Sequence, residues 1–169
     1  LPDEDLSADM YADTQELCDA AGLHGYEISN HARPGSESRH NLVYWRQGDW
    51  AAVGPGAHGR LTLPQGRIAT EAHRMPGAWL AAVEGSGTGE QSRAFLDDEE
   101  RATEYLLMAL RLSEGLSESR HAALAGRGFD AGTVWSLEGL GMIGRGDGRL
   151  WATAKGRPVL NAILRELAS

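Results

Sequence analysis

Two short segments hold most of the side chains that could do chemistry. His40-Asn41-Leu42-Val43-Tyr44-Trp45 joins an imidazole, an amide and two large aromatics in a span bounded by polar loops. An imidazole can ligate iron, aromatics can flank a flat macrocycle, and an amide can donate a hydrogen bond. The plain alternative for this segment is a satisfied histidine beside aromatic core residues. The second segment, Gly54-Pro55-Gly56-Ala57-His58-Gly59, matches G-x-G-x-x-G. That pattern binds a dinucleotide only when a strand enters it and a helix begins within it, because the pyrophosphate sits on the helix N-terminus. Here the exit, Arg60 to Gly66, reads as strand and turn, so the dinucleotide reading is rejected. What remains is a glycine loop at a strand end that lets a ligand or another backbone approach closely, or a plain tight turn. His58 inside it offers a second ligand, a proton donor or a carboxylate partner, or is a surface residue. Glu27 reads as either a buried carboxylate or a solvated strand residue. His24, His31, His73 and His121 have no metal-like partner at helical spacing and are read as structural.

These segments need elements to position them. Pro2 to Gly22 reads as an amphipathic helix, with Pro2, Asp3, Glu4 and Asp5 in the first turn and Leu6, Met10, Leu17 and Ala21 at helical spacing. Tyr26 to Asn30 reads as a short strand and Trp50 to Val53 as an apolar run entering the glycine loop. Leu61–Leu63 and Arg67–Thr70 flank Pro64-Gln65-Gly66 as a hairpin. A short helix around 77–84 precedes Gly85-Ser86-Gly87-Thr88-Gly89-Glu90, read as a linker. Beyond it lie helices starting at Asp97 or Asp98, at Ser117 and near Asp130. A turn at Gly144–Arg149 and a closing helix Pro158–Ala168 follow. Trp135 and Trp151 are expected to pack in or at the edge of this module. Three helices, a hairpin and a closing helix suggest a winged-helix-like module, and there is no internal repeat.

Composition narrows the classes. The 169 residues hold 16 Lys and Arg against 24 Asp and Glu, a net charge of −8. The first 19 residues carry seven acids and no base. Such a surface repels phosphate backbones and anionic lipid, and the third helix of the winged-helix outline presents no Lys or Arg, so no nucleic-acid role is expected. No apolar run approaches the ~18 residues of a membrane span, and no secretory leader is visible, which points to the cytoplasm. Cys18, the only cysteine, cannot build a disulfide framework or a cysteine-ligated cluster and is expected as a small buried hydrophobe.

In their order along the chain, Tyr26-Glu27-Ile28-Ser29-Asn30, Ala32-Arg33-Pro34-Gly35, His40-Asn41-x-x-Tyr44-Trp45 and Gly54-x-Gly56-Ala57-His58-Gly59 resemble the oxygen-independent coproporphyrinogen oxidase-like radical SAM proteins. The stretch Thr153-Ala154-Lys155-Gly156 through Leu160-Asn161 resembles that family's terminal domain. His-Asn-x-x-Tyr-Trp favours the HemW-like haem-chaperone branch over the true oxidases. The resemblance implies an α/β fold: residues 1–84 as the C-terminal part of a radical SAM partial (β/α) barrel, 85–93 as linker, and 94–169 as a small helical, winged-helix-like domain. It implies that His40 is the candidate haem-iron ligand, with Asn41, Tyr44 and Trp45 beside the porphyrin, and that Gly54, Gly56, Ala57 and His58 line the cofactor or tetrapyrrole cleft. By the same resemblance, the full-length form would hold a 4Fe–4S cluster and S-adenosylmethionine, bind haem, form a homodimer and deliver haem to acceptor proteins. The Cys-x-x-x-Cys-x-x-Cys loop of the family is not in this sequence, so the chain is expected to be the C-terminal portion and inactive alone. A radical SAM oxidase that decarboxylates coproporphyrinogen III is the enzymatic alternative, and a regulatory winged-helix module a third.

Overall fold

The computed structural model describes residues 3–169, so the reading of Pro2 in a first helical turn lies outside the described residues. Helix α1 (Glu4–Ala20) follows Asp3, whose carboxylate accepts from Leu6 N at 2.9 Å and so satisfies one of the free amides of the first turn. Its spacing is helical as expected. Its apolar side chains nevertheless face outward: Leu6 and Met10 are about half exposed and Leu17 is 70% exposed. Cys18 is half-buried and free.

Strands β1 (His24–Gly25) and β2 (His31–Ala32) form a short antiparallel pair. Tyr26–Asn30, expected as a strand, is instead the turn that joins them. Tyr26 N donates to Asn30 O at 3.1 Å, and Glu27 turns its carboxylate back onto Ser29 N and the Asn30 amide. An Asn and a Ser whose polar groups fold onto a neighbouring carboxylate outcompete the β-propensity of Tyr and Ile. Helix α2 (Arg39–Trp45) follows, capped by Ser38.

Strands β3 (His58–Leu63), β4 (Gly66–Ala72) and β5 (Glu90–Phe95) make an antiparallel sheet in chain order, with helix α3 (Pro76–Ser86) between the last two. The expected hairpin forms, but its turn is Pro64-Gln65 alone, since Gly66 already pairs with Leu63. Residues 85–93, expected as a linker, hold the last turn of α3 and the start of β5, where Glu71 pairs with Ser92 and Thr70 with Arg93. Exposed side chains along β5 explain why its sequence reads as loop: an edge strand with little apolar face gives no alternation to detect.

The C-terminal half contains the core. Helix α4 (Asp98–Ala109) starts in a capping box between Asp97 and Glu100, and Ala102, Tyr105, Leu106 and Ala109 on it are buried. Helices α5 (Glu118–Ala125) and α6 (Ala131–Gly139) start at Ser117 and Asp130, whose side chains accept from the first turns. Strand β6 (Leu116–Ser117) pairs with β8 (Arg149–Ala152), which pairs with β7 (Ile143–Gly146); Leu116 and Leu150 lie opposite each other and are fully buried. A 3₁₀ turn, Arg157–Val159, leads into helix α7 (Leu160–Ala168), which buries Leu160, Ile163, Leu164 and Leu167 at the i, i+3, i+4, i+7 spacing of one helical face. Helix order and the β7–β8 hairpin give the winged-helix outline read from the sequence. Trp135, expected to pack, is 78% exposed because the buried face of α6 runs through Val134 and Leu137 instead. Trp151 lies over Gly144, where any Cβ would collide with the indole. Among the described residues no helix is long and apolar enough to cross a membrane.

Candidate functional site

The site is assembled around α2, which is held from three sides. Ser38 Oγ accepts from Asn41 N at 3.4 Å and starts the helix. The Asn41 amide donates to Tyr26 Oη at 3.1 Å, and Tyr26 O in turn accepts from Ser113 N and Ser113 Oγ. The turn that carries Tyr26 is locked by Glu27, buried to 2% exposure, whose Oε1 accepts from both Ser29 N and the Asn30 amide. Glu27 is therefore an anchor for the chain entering α2. A buried carboxylate survives only with such partners.

On the side of α2 toward the sheet, the Tyr44 ring lies 4.6 Å from Trp50 and 5.2 Å edge-on from Trp45. The Arg111 guanidinium sits 5.3 Å from the Trp45 ring. Both aromatics are half-buried. His40 and Val43 stand three residues apart on the exposed side, where positions i and i+3 are neighbours. Among the described residues His40 has no hydrogen-bond or ion-pair partner. An imidazole left free beside an apolar side chain can give a lone pair to a metal centre approaching from solvent.

The glycine loop is reached through Trp50. Its indole Nε1 donates to His58 O at 2.7 Å, and its backbone pairs with Arg60 in both directions. Gly54 has φ +112°, a conformation costly for a side chain. Gly59 is required for a different reason: a Cβ there would stand 2.5 Å from Thr70 Oγ1. Ala57 N closes the turn on Gly54 O at 3.2 Å, and Gly56 N donates to His73 O at 2.9 Å. The loop continues as strand β3, as its exit residues imply. His58 Nδ1 faces Glu71 Oε1 at 3.6 Å in an exposed pair. Gly54 and Ala57 line a recess of about 400 Å³, closed opposite by Trp79 and Val83 of α3 and by Gly89.

The predicted residues thus fall into two groups. Tyr44 is coupled through Trp50 to the main chain of His58, and Gly54 and Ala57 share one recess, with Gly56 in the turn between them. His40 and Asn41 sit at the other end of α2, with no hydrogen bond or ion pair to the glycine loop among the described residues. Two parts of the arrangement escape sequence reading. Trp79 closes the recess from a helix whose composition shows no polar signal. Arg67 is buried against Asp49 Oδ1 at 2.8 Å and Gly48 O at 2.7 Å, and Arg60 meets Glu104 Oε1 at 2.7 Å. Burial lowers the Arg67 pKa, partly offset by Asp49 and Glu104. Burial raises the Asp49 carboxyl, but hydrogen bonds from Thr62 and the charge of Arg67 outweigh it and leave the pKa below the usual carboxylate value. The spacing of these ion-pairing residues in sequence carries no signal that they meet.

No group of three His, Cys, Asp or Glu gathers into a metal-holding cluster among the described residues, and the single cysteine does not fit a 4Fe–4S cluster. A haem iron needs less: one accessible imidazole and apolar surface beside it, which α2 presents at His40 and Val43.

No family model matches the chain. It is 35% identical over 127 residues to the protein named Heme chaperone HemW of Escherichia coli, covering 75% of this chain and 32% of that one. It is 32% identical over 166 residues to Heme chaperone HemW of Mycobacterium tuberculosis, covering 98% and 40%. It is 36% identical over 122 residues to Radical S-adenosyl methionine domain-containing protein 1, mitochondrial, of Danio rerio, covering 69% and 27%. The chain therefore spans between about a quarter and two-fifths of the length of these relatives. Among solved structures, coproporphyrinogen III oxidase (HemN) from Escherichia coli, described as a radical SAM enzyme, superposes with a TM-score of 0.72 at 15% identity, over all of this chain and 42% of the other. At that identity the match speaks to fold alone. The mixed α/β architecture is consistent with a C-terminal part of the radical SAM fold, as the motif order implied.

Proposed function

We propose, for a chain that belongs to the radical SAM family among its HemW-like and coproporphyrinogen oxidase-like members, a role in binding haem or a closely related tetrapyrrole. The observation that carries this reading is the placement of His40, free and exposed, on a helix whose other side is fixed to the glycine loop through Tyr44 and Trp50. In the proposal His40 would supply a nitrogen ligand to iron, and Val43 would offer apolar surface beside the macrocycle. Asn41 holds the helix through Tyr26, and Tyr44 and Trp45 form the aromatic wall behind the ligand. A rigid first turn matters because a ligand that must be ordered on binding loses affinity to that ordering.

The recess lined by Gly54 and Ala57, together with Gly56 and His58 of the same loop, is the second part of the proposed site, next to the cofactor of the whole protein. In the whole protein, S-adenosylmethionine and a 4Fe–4S cluster would supply radical chemistry. This chain's own residues do not fit the cluster. For the whole protein the proposal extends to delivery of haem to acceptor proteins, to dimer formation and to a cytoplasmic site of action. The names of the HemW relatives support haem delivery over oxidation of coproporphyrinogen III.

Haem titration followed at the Soret band tests the reading. Saturable binding with the band position of a histidine-ligated iron supports it; no shift from free haem at micromolar protein contradicts it.

A further inference from the structure

A cationic pocket stands out in a chain whose net charge is −8. It has a volume of about 270 Å³ and lies between the C-terminal end of α2 and the winged-helix module. Arg46, Arg120 and Arg149 line it, with Glu114 as the one carboxylate among the lining residues. Arg46, the residue that caps α2, holds Glu114 with two donors, Nε to Oε1 at 2.9 Å and Nη2 to Oε2 at 2.7 Å. Arg149 reaches the same carboxylate at 3.3 Å while donating to Glu114 O and Gly115 O at 2.6 Å each. Arg120 lies 4.2 Å from the Tyr105 ring centroid and donates to Arg46 O at 2.9 Å.

Three guanidiniums against one carboxylate leave two positive charges in the lining; Glu37, outside it, also acts on Arg46. Arg46 Nη1 and Arg149 Nη1 have no hydrogen-bond partner among the described residues. Guanidinium forks recognise carboxylates with paired, charge-assisted hydrogen bonds. Glu114 already occupies one such place and marks the kind of group the pocket accepts.

Position relates this pocket to α2. His40, Val43 and Arg46 are all exposed at three-residue steps that wind about 60° each around the helix, and about 9 Å of helix rise separates the first from the last. A flat macrocycle whose iron meets His40 and whose edge rests on Val43 can therefore extend a side-chain carboxylate to Arg46.

We infer that the Arg46–Arg120–Arg149 pocket is a carboxylate seat for the tetrapyrrole held at His40. This rests on the haem reading above, and it assigns the ligand class: a tetrapyrrole with free acid side chains, not its neutral ester.

The test compares haem with its dimethyl ester, in the same dilute detergent, on the unsubstituted chain, Arg46→Gln, Arg149→Gln and Glu114→Gln, read at the Soret band. The unsubstituted chain is expected to bind the diacid roughly tenfold more tightly than the diester. Either arginine substitution is expected to remove most of that preference while leaving diester binding unchanged. Glu114→Gln, which takes away the resident carboxylate, is expected to widen it, an effect that a purely structural clamp would not give. Equal binding of acid and ester by the unsubstituted chain overturns the seat and leaves haem binding at His40 standing. An unchanged preference in both arginine variants, or no widening in Glu114→Gln, also overturns it. Binding of neither compound overturns the seat and the haem reading together.

Discussion

The indole of Trp50 donates to the carbonyl oxygen of His58 at 2.7 Å, and its ring meets Tyr44 at 4.6 Å. One side chain thereby fastens the helix of the His-Asn-x-x-Tyr-Trp segment to the glycine loop. The two motifs, separate in sequence, are one mechanical unit.

Trp50→Phe keeps most of the ring and loses the donor. It is expected to cost about 1 kcal/mol, the net worth of one hydrogen bond. Trp50→Ala also removes the ring that packs at a tilt against Tyr44, with Arg60 and Arg67 close by at 5.9 and 5.8 Å, and is expected to cost more. Urea unfolding of the two variants gives the difference; no cost in Trp50→Phe would show that the indole N–H contributes nothing, and equal costs that the ring contributes nothing.

Glu104 joins the sheet to α4. It receives Arg60 at 2.7 Å and faces Arg67 Nε at 3.9 Å, in a site where all three side chains are less than a fifth exposed. Removing the carboxylate leaves two buried cations with only Asp49 to balance them. Glu104→Ala is therefore expected to destabilise by about 3 kcal/mol, in the range for breaking a buried pair. A loss below about 1 kcal/mol in chemical denaturation would place the pair with surface bridges instead.

His121 is buried at 7% exposure and stacked 4.0 Å from Phe129, and its Nδ1 has no partner. Burial, with Arg127 adding to it, lowers its pKa below the ordinary 6.5. The folded state thus binds the proton less readily than the unfolded chain. Its contribution to stability is present above pH 6.5 and is lost as pH falls through the lowered pKa. Thermal midpoints measured downward from pH 7 are expected to fall less steeply in His121→Phe than in the unsubstituted chain. Parallel curves would show that His121 does not contribute to the pH dependence of stability.

With Cys18 as its only cysteine, the chain is expected neither to reconstitute a 4Fe–4S cluster nor to cleave S-adenosylmethionine. Anaerobic reconstitution followed by measurement of 5′-deoxyadenosine checks this, and product above background would contradict it.

Much of the C-terminal half is legible in the sequence because its signals are local. Asp97, Ser117 and Asp130 each start a helix by side-chain capping, and α7 repeats its apolar residues at one face. Legibility fails where partners are distant. Tyr26–Asn30 alternates like a strand, yet the Glu27 carboxylate bends it into a turn. Strand β5 exists only because β4 offers it an edge, so its own residues show no strand pattern. Trp135 follows the expected helix but not the expected burial, since one residue of offset carries a side chain about 100° around the axis. At the candidate site the motif residues are legible, whereas Trp50, Trp79 and the Arg60–Glu104–Arg67 group are positioned by contacts that no short pattern encodes.

The most direct measurement is haem titration of the unsubstituted chain beside His40→Ala and His58→Ala, with the Soret band read for position as well as saturation. His40→Ala is expected to lose the histidine-ligated band and at least tenfold in affinity (about 1.4 kcal/mol), added imidazole to restore the band, and His58→Ala to behave like the unsubstituted chain. Unchanged affinity and band position in His40→Ala would contradict ligation by His40.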